Sequence, residues 1–166
     1  MKKIVFLLFI IVVFSSAVLK DRTILIPENA IRIRVIANSD NIHDQEIKSK
    51  VKNEVNYYLY SKLRNIDNYN EAKSIIKNSY LELNNVIDKY TNNYTLSYDN
   101  NYFPEKEYKN TKYKEGNYES VVITLGKGEG KNFWCVLFPP LCLIDEENLS
   151  NAEYKLYVNE LLKKIK

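Results

Sequence analysis

Ile31-Arg-Ile-Arg-Val-Ile36, followed by Ala37-Asn-Ser-Asp-Asn41, sets a strand against the helix that comes after it. Ile31, Ile33 and Val35 alternate with Arg32 and Arg34, the two-residue period of a half-buried strand. Asn38-Ser-Asp-Asn41 stops it, because any of these short polar side chains can accept from the free N–H groups of a following helix. Asp44 and Glu46 suit the first turn of that helix. Its apolar stripe is Ile47, Val51, Val55, Leu59 and Leu63 at four-residue spacing, widened by Tyr58, and it ends near Arg64.

Downstream, Asn68-Tyr-Asn-Glu71 has the pattern of a capping box and opens a second helix with Ala72, Ile75, Ile76, Leu83, Val86, Ile87 and Tyr90 on one side. The short linker makes the two helices antiparallel neighbours. Tyr94, Leu96 and Tyr98 alternate as a second strand, Tyr118 to Leu125 forms a third, and Phe133 to Phe138 a fourth. Between them, residues 100–117 read as a polar, Tyr-studded excursion. Ser150-Asn-Ala-Glu153 caps a C-terminal helix, 150–166, with Tyr154, Tyr157, Val158, Leu161, Leu162 and Ile165 on one face. The order β-α-α-β-β-β-α predicts an α+β two-layer sandwich, with helices on one face of a small, mostly antiparallel sheet.

Upstream, Lys2 and Lys3 precede the apolar run Ile4 to Phe14, and Ser15-Ser-Ala17 supplies small residues for cleavage after Ala17. Residues 1–17 read as a signal peptide, 18–30 as a polar lead and 31–166 as a single domain, so a secreted, extracytoplasmic location is expected. An uncleaved anchor is the alternative, and in either case the signal segment is the only expected contact with the membrane. The 166 residues carry a formal charge of +3, which falls to +1 without residues 1–17. That balance argues against nucleic acid, whose binding needs clustered Lys and Arg. Two cysteines and one histidine are too few for a thiolate or histidine metal cage, so no metal or other cofactor is expected.

Three patterns could carry chemistry. Gly126-Lys-Gly-Glu-Gly-Lys131 follows a strand, but a phosphate loop needs four residues between its glycines and a Ser or Thr after the Lys. It reads as a glycine-rich hairpin loop. Ser39, Asp40, His43 and Asp44 are the residue types of a hydrolase, yet three of the four lie on one turn, where side chains normally cap a helix. Cys135 and Cys142 are not spaced as a redox Cys-x-x-Cys. After export an intramolecular disulfide closing a loop of about eight residues is the default, and two buried thiols are the alternative. No catalytic residue and no small-molecule substrate are therefore expected.

The segment Lys131-Asn-Phe-Trp-Cys-Val-Leu-Phe-Pro-Pro-Leu-Cys142 crowds the only Trp with two Phe and two Pro. A one-faced strand accommodates Trp134, Val136 and Phe138, or Phe133, Cys135 and Leu137, but not both sets. The other set lies under the last helix or forms an aromatic patch for a partner.

Here the chain resembles the stage II sporulation protein R family. Val35-Ile-Ala-Asn-Ser-Asp40 with Asp44-Gln45 matches the family's first block, and Gly130 to Cys142 its second. The resemblance runs from Ile31 to Ile144, and its departures are Phe133 where Trp is common and His43 where no residue is fixed. It implies an exported, non-enzymatic signal acting in the space between forespore and mother-cell membranes. There it would trigger the membrane-embedded aspartyl protease that processes pro-sigma E. The candidate partner-binding residues are Asn38, Ser39, Asp40, Phe133, Trp134, Phe138, Pro139, Pro140 and Leu141. A different class of function, an extracytoplasmic hydrolase using Ser39 or Asp40, is the alternative.

Overall fold

The computed structural model describes residues 24–25, 27, 29–108, 111–141, 160 and 163. The expected signal peptide with Ala17, Cys142, and all of the C-terminal helix except Glu160 and Lys163 lie outside the described residues. Those two are helical and exposed.

The elements are β1 (Ile24–Leu25), β2 (Ile31–Ile36), α1 (Ile42–Leu63), α2 (Tyr69–Asn78), α3 (Tyr80–Ile87), β3 (Tyr94–Phe103), β4 (Lys106–Tyr108), β5 (Thr111–Tyr113), β6 (Gly116–Leu125) and β7 (Asn132–Phe138). The α+β class holds, with three departures in detail. The second expected helix is two helices, because Ser79 leaves the helical region at φ −83°, ψ 2° while its Oγ donates to Ile75 O at 2.8 Å. A serine hydroxyl that bonds its own chain competes with the helical ladder. The polar excursion is structured: β3 runs on to Phe103, and β4 and β5 pair antiparallel beyond it. The polar lead contributes β1, which pairs parallel with β5.

The main sheet has the order β3-β6-β2-β7. β3 with β6 and β2 with β7 are antiparallel, and β2 with β6 is parallel, so the sheet is mixed with antiparallel pairing in the majority. β2 is thus central, flanked by two strands that arrive much later in the chain.

One face of this sheet meets the helices. Ile31, Ile33 and Val35 of β2, Val121, Ile123 and Leu125 of β6, and Val51, Val55, Leu59 and Leu63 of α1 form one core with Ala72, Ile76, Leu83 and Ile87. The period of two in the strands and of about four in α1 is the reason these residues share a layer. At the helix entrances, Asn41 and Asn68 are the N-caps: Asn41 Oδ1 accepts from Asp44 N at 2.8 Å, and Asn68 Oδ1 from Asn70 N and Glu71 N.

Candidate functional site

β2 ends beneath a dense hydrogen-bonded joint. Asp44, in the first turn of α1, accepts three side-chain bonds on Oδ2: from Ser39 Oγ at 2.6 Å, Asn38 Nδ2 at 2.8 Å and Asn41 Nδ2 at 3.0 Å. Gln45 Nε2 donates to Ser39 O at 2.8 Å, and Lys48 Nζ reaches Lys131 O at 3.1 Å. The turn after β2 is therefore tied to the first turn of α1 by side-chain bonds in addition to the main-chain bond from Gln45 N to Asn41 O.

The glycine loop between β6 and β7 closes the joint from the other side. β6 and β7 do not pair with each other; they lie on either side of β2. The expected hairpin is corrected accordingly: residues 126–131 arch over the carboxyl end of β2. Asn38 Oδ1 accepts from Lys127 N at 2.9 Å, Asp40 Oδ1 from Lys131 N at 2.7 Å, and Ala37 O from Gly130 N at 2.9 Å. The arch passes so close that a Cβ on Gly130 would stand 2.3 Å from Ser39 O, and one on Gly126 would stand 2.2 Å from Asn38 Oδ1. Gly126 also has φ +55°, the left-handed region that favours glycine.

Asn38, Ser39 and Asp40 thus come together with Asp44, Gln45 and the glycine loop. Ser39 is not the N-cap; its hydroxyl accepts from Asn41 N at 3.2 Å and donates to Asp44. A nucleophilic serine is normally activated by a base held in place by a third group, and here the hydroxyl donates its proton to the Asp44 carboxylate, which also accepts from Asn38 and Asn41, while His43 stands exposed. The central part of Asp44 was not legible in its helix-start position. A signal did exist: three of the four glycines fall between residues 126 and 130, a density that marks close backbone approach. Among the described residues, no cluster of three or more His, Cys, Asp and Glu side chains could hold a metal ion.

The bonds from Ser39, then Asn38, hold the Asp44 carboxyl below its ordinary 3.8. A depressed folded-state value stabilises the fold above the unfolded value, and this contribution disappears as pH falls through the folded one. An Asp44→Asn protein is therefore expected to melt below the wild type at pH 7, with the gap narrowing once pH drops under about 3.8. A gap unchanged between pH 7 and pH 2 would show that the carboxylate charge plays no part. At the same joint, burial lowers the Lys48 ammonium pKa; Lys52 and Lys131 add repulsion and Asp40 opposes them.

The second candidate segment, β7, uses both faces of the sheet. Phe133 and Cys135 pack on the helix side, while Trp134 and Val136 face the other way, in rows with Arg34 and Arg32. Pairing shifts between Ile31 and Arg32, with Ile31 opposite Phe138 and Arg32 opposite Val136. The bulge at Leu137 lets Leu137 and Phe138 both enter the helix-side core. Phe138 and Leu141 are each 1% exposed, and Pro139 and Pro140 are buried as well. The expectation that these four present an apolar partner surface is corrected: they close the end of the core, with Leu141 N donating to Pro139 O and Val136 O. Cys135 is a half-buried free thiol, and its expected partner Cys142 lies outside the described residues.

Arrangement and chemistry together define a mixed-sheet α+β domain whose central strand ends in a locked polar joint. The family described as stage II sporulation protein R matches residues 27–148. Stage II sporulation protein R of Bacillus subtilis (strain 168) is 38% identical over 135 residues, covering 78% of this chain. The chain spans 60% of that relative's length. No solved structure matches it. The chain belongs to the stage II sporulation protein R family.

Proposed function

We propose that this chain is an exported signal that activates a membrane-embedded aspartyl protease, which in turn removes the pro-sequence of sigma E in the mother cell. Family membership and the charged-then-apolar residues 1–17 support export into the space between the two sporulation membranes. The observation that carries the reading is the joint itself. Both blocks of family-like sequence meet there in a network that ties up the Ser39 hydroxyl and sets the shape of an exposed turn. An activator needs only to bind one state of its receptor better than another, and a pre-shaped surface does that without turnover.

The test produces the full chain in cells that also make the protease and its sigma precursor, with precursor length read by immunoblot. Shortening of the precursor is expected; a full-length precursor beside a demonstrably exported chain would overturn the proposal. Processing retained in Ser39→Ala would exclude a hydrolase acting through Ser39, whereas processing lost with an unchanged melting curve would make the Ser39 hydroxyl either a partner contact or a reacting group.

A further inference from the structure

The sheet face turned away from α1, α2 and α3 carries three cross-strand rows on β6, β2 and β7: Ser120–Arg32–Val136, Val122–Arg34–Trp134 and Thr124–Ile36–Asn132. Two arginines in alternation on the central strand of a sheet place two positive charges on its inner floor, where each needs an acceptor or an aromatic face. Arg32 is 2% exposed, and its guanidinium lies 4.2 Å from the Phe103 ring centroid and 5.1 Å from that of Tyr118. It is sealed by aromatic rings. Arg34 differs: it keeps partial exposure, and its guanidinium lies 4.4 Å from the Trp134 ring centroid.

Arg34 is also incompletely satisfied. Its Nε is buried with no hydrogen-bond partner, and the buried Oδ1 of Asn132, one row away on the same face, has none either. Burial pushes the Arg34 pKa down, and no ion pair within the described residues offsets this. On this face the carboxylate of β3 is Asp99, in the Arg32 row and two strands from β2. By strand spacing and rise its Cα is roughly 12 Å from that of Arg34. A guanidinium stacked on an indole and lacking a carboxylate presents a fork suited to bidentate pairing with a planar anion.

We propose that Arg34, stacked on Trp134 with Asn132 beside it, is the docking point for a carboxylate on an acidic peptide segment of the protein partner. The proposal rests on the reading of the chain as an activator of another protein. Charge complementarity selects an acidic peptide, because the uncompensated charge is a single guanidinium. Its depth excludes a flat bilayer, since a half-buried group on a sheet floor is reached by one protruding side chain, whereas a lipid surface engages protruding lysines. Contact with the indole at 4.4 Å restrains the guanidinium before binding, which lowers the ordering cost of the complex.

Trp134 is the only tryptophan of the chain, so its fluorescence reports on this site alone. The full chain is titrated with N-acetyl-tetraglutamate amide, with the tetraglutamine peptide as control and anionic phosphatidylglycerol vesicles as a separate arm. A saturable Trp134 response to tetraglutamate is expected, with at least tenfold weaker apparent binding in both Arg34→Gln and Arg34→Lys. Arg34→Gln is expected to melt no lower than the wild type, because it removes a buried, incompletely paired charge. Three results would overturn the proposal: no response, an equal response in Arg34→Gln, or a response to vesicles alone. In the precursor-processing assay, wild-type cleavage with loss in Arg34→Gln supports the site, and equal cleavage by both overturns it. Failure of the exported wild type to cause cleavage overturns the activator reading itself, and the peptide titration still judges the carboxylate site.

Discussion

Phe138→Ala is expected to lower stability by about 3 to 5 kcal/mol, the range for emptying a large aromatic site in a closed core. Phe138 is 1% exposed, sits opposite Ile31 across the β2–β7 ladder and meets the Tyr69 ring edge-on at 6.2 Å between centroids. Removing it opens a void between β7 and α2 that the neighbouring Leu137 cannot fill, because Leu137 already occupies its own place in the same core. The melting temperature should fall by roughly 6 to 20 °C for a chain of this size. Precursor processing should fall only in step with folding. Phe138→Leu separates packing from contact: it keeps most of the volume, so it should cost less than about 1.5 kcal/mol and leave processing intact. Processing lost in Phe138→Leu with a normal melt would make Phe138 a contact residue after all.

Gly130→Val is expected to cost about 3 kcal/mol, for a different reason. The nearest atoms to its new side chain would be main-chain atoms, Ser39 O at 2.3 Å and Ser39 C at 2.6 Å, with Ala37 Cβ at 2.9 Å. Backbone cannot rotate out of the way, so the loop must lift from the end of β2. Lifting it breaks the bonds from Gly130 N to Ala37 O and from Lys131 N to Asp40 Oδ1 together. Glu129→Ala is the control. Its main-chain N–H still donates to Asn38 O, so its melt should move by less than about 0.5 kcal/mol. Equal melts for Gly130→Val and the wild type would mean that the arch is not held against β2.

Local pattern settled a good part of this protein. The alternation of Ile31, Ile33 and Val35 and the four-residue stripe of α1 named the central strand, the long helix and their buried faces, because each periodicity is a property of one segment. Asn68 was legible as a cap for the same reason, since its partners lie two and three residues away. The family likeness was legible too, in residues 35–45 and 130–142.

Strand order was not local, and only the tertiary structure decided it. Gly126 to Lys131 looks like a hairpin loop in the chain, yet becomes an arch because β2, far away in sequence, inserts between β6 and β7. Burial of Pro139, Pro140 and Leu141 and the two-faced use of β7 follow from that insertion and from the bulge at Leu137, which no alternation pattern announces. The meeting of Asp44 with Asn38 and Ser39, and of both with the glycine arch, likewise depends on how α1 leaves the end of β2. Periodicity tells each segment which side to bury, but pairing between distant strands is selected by the packing of the whole sheet.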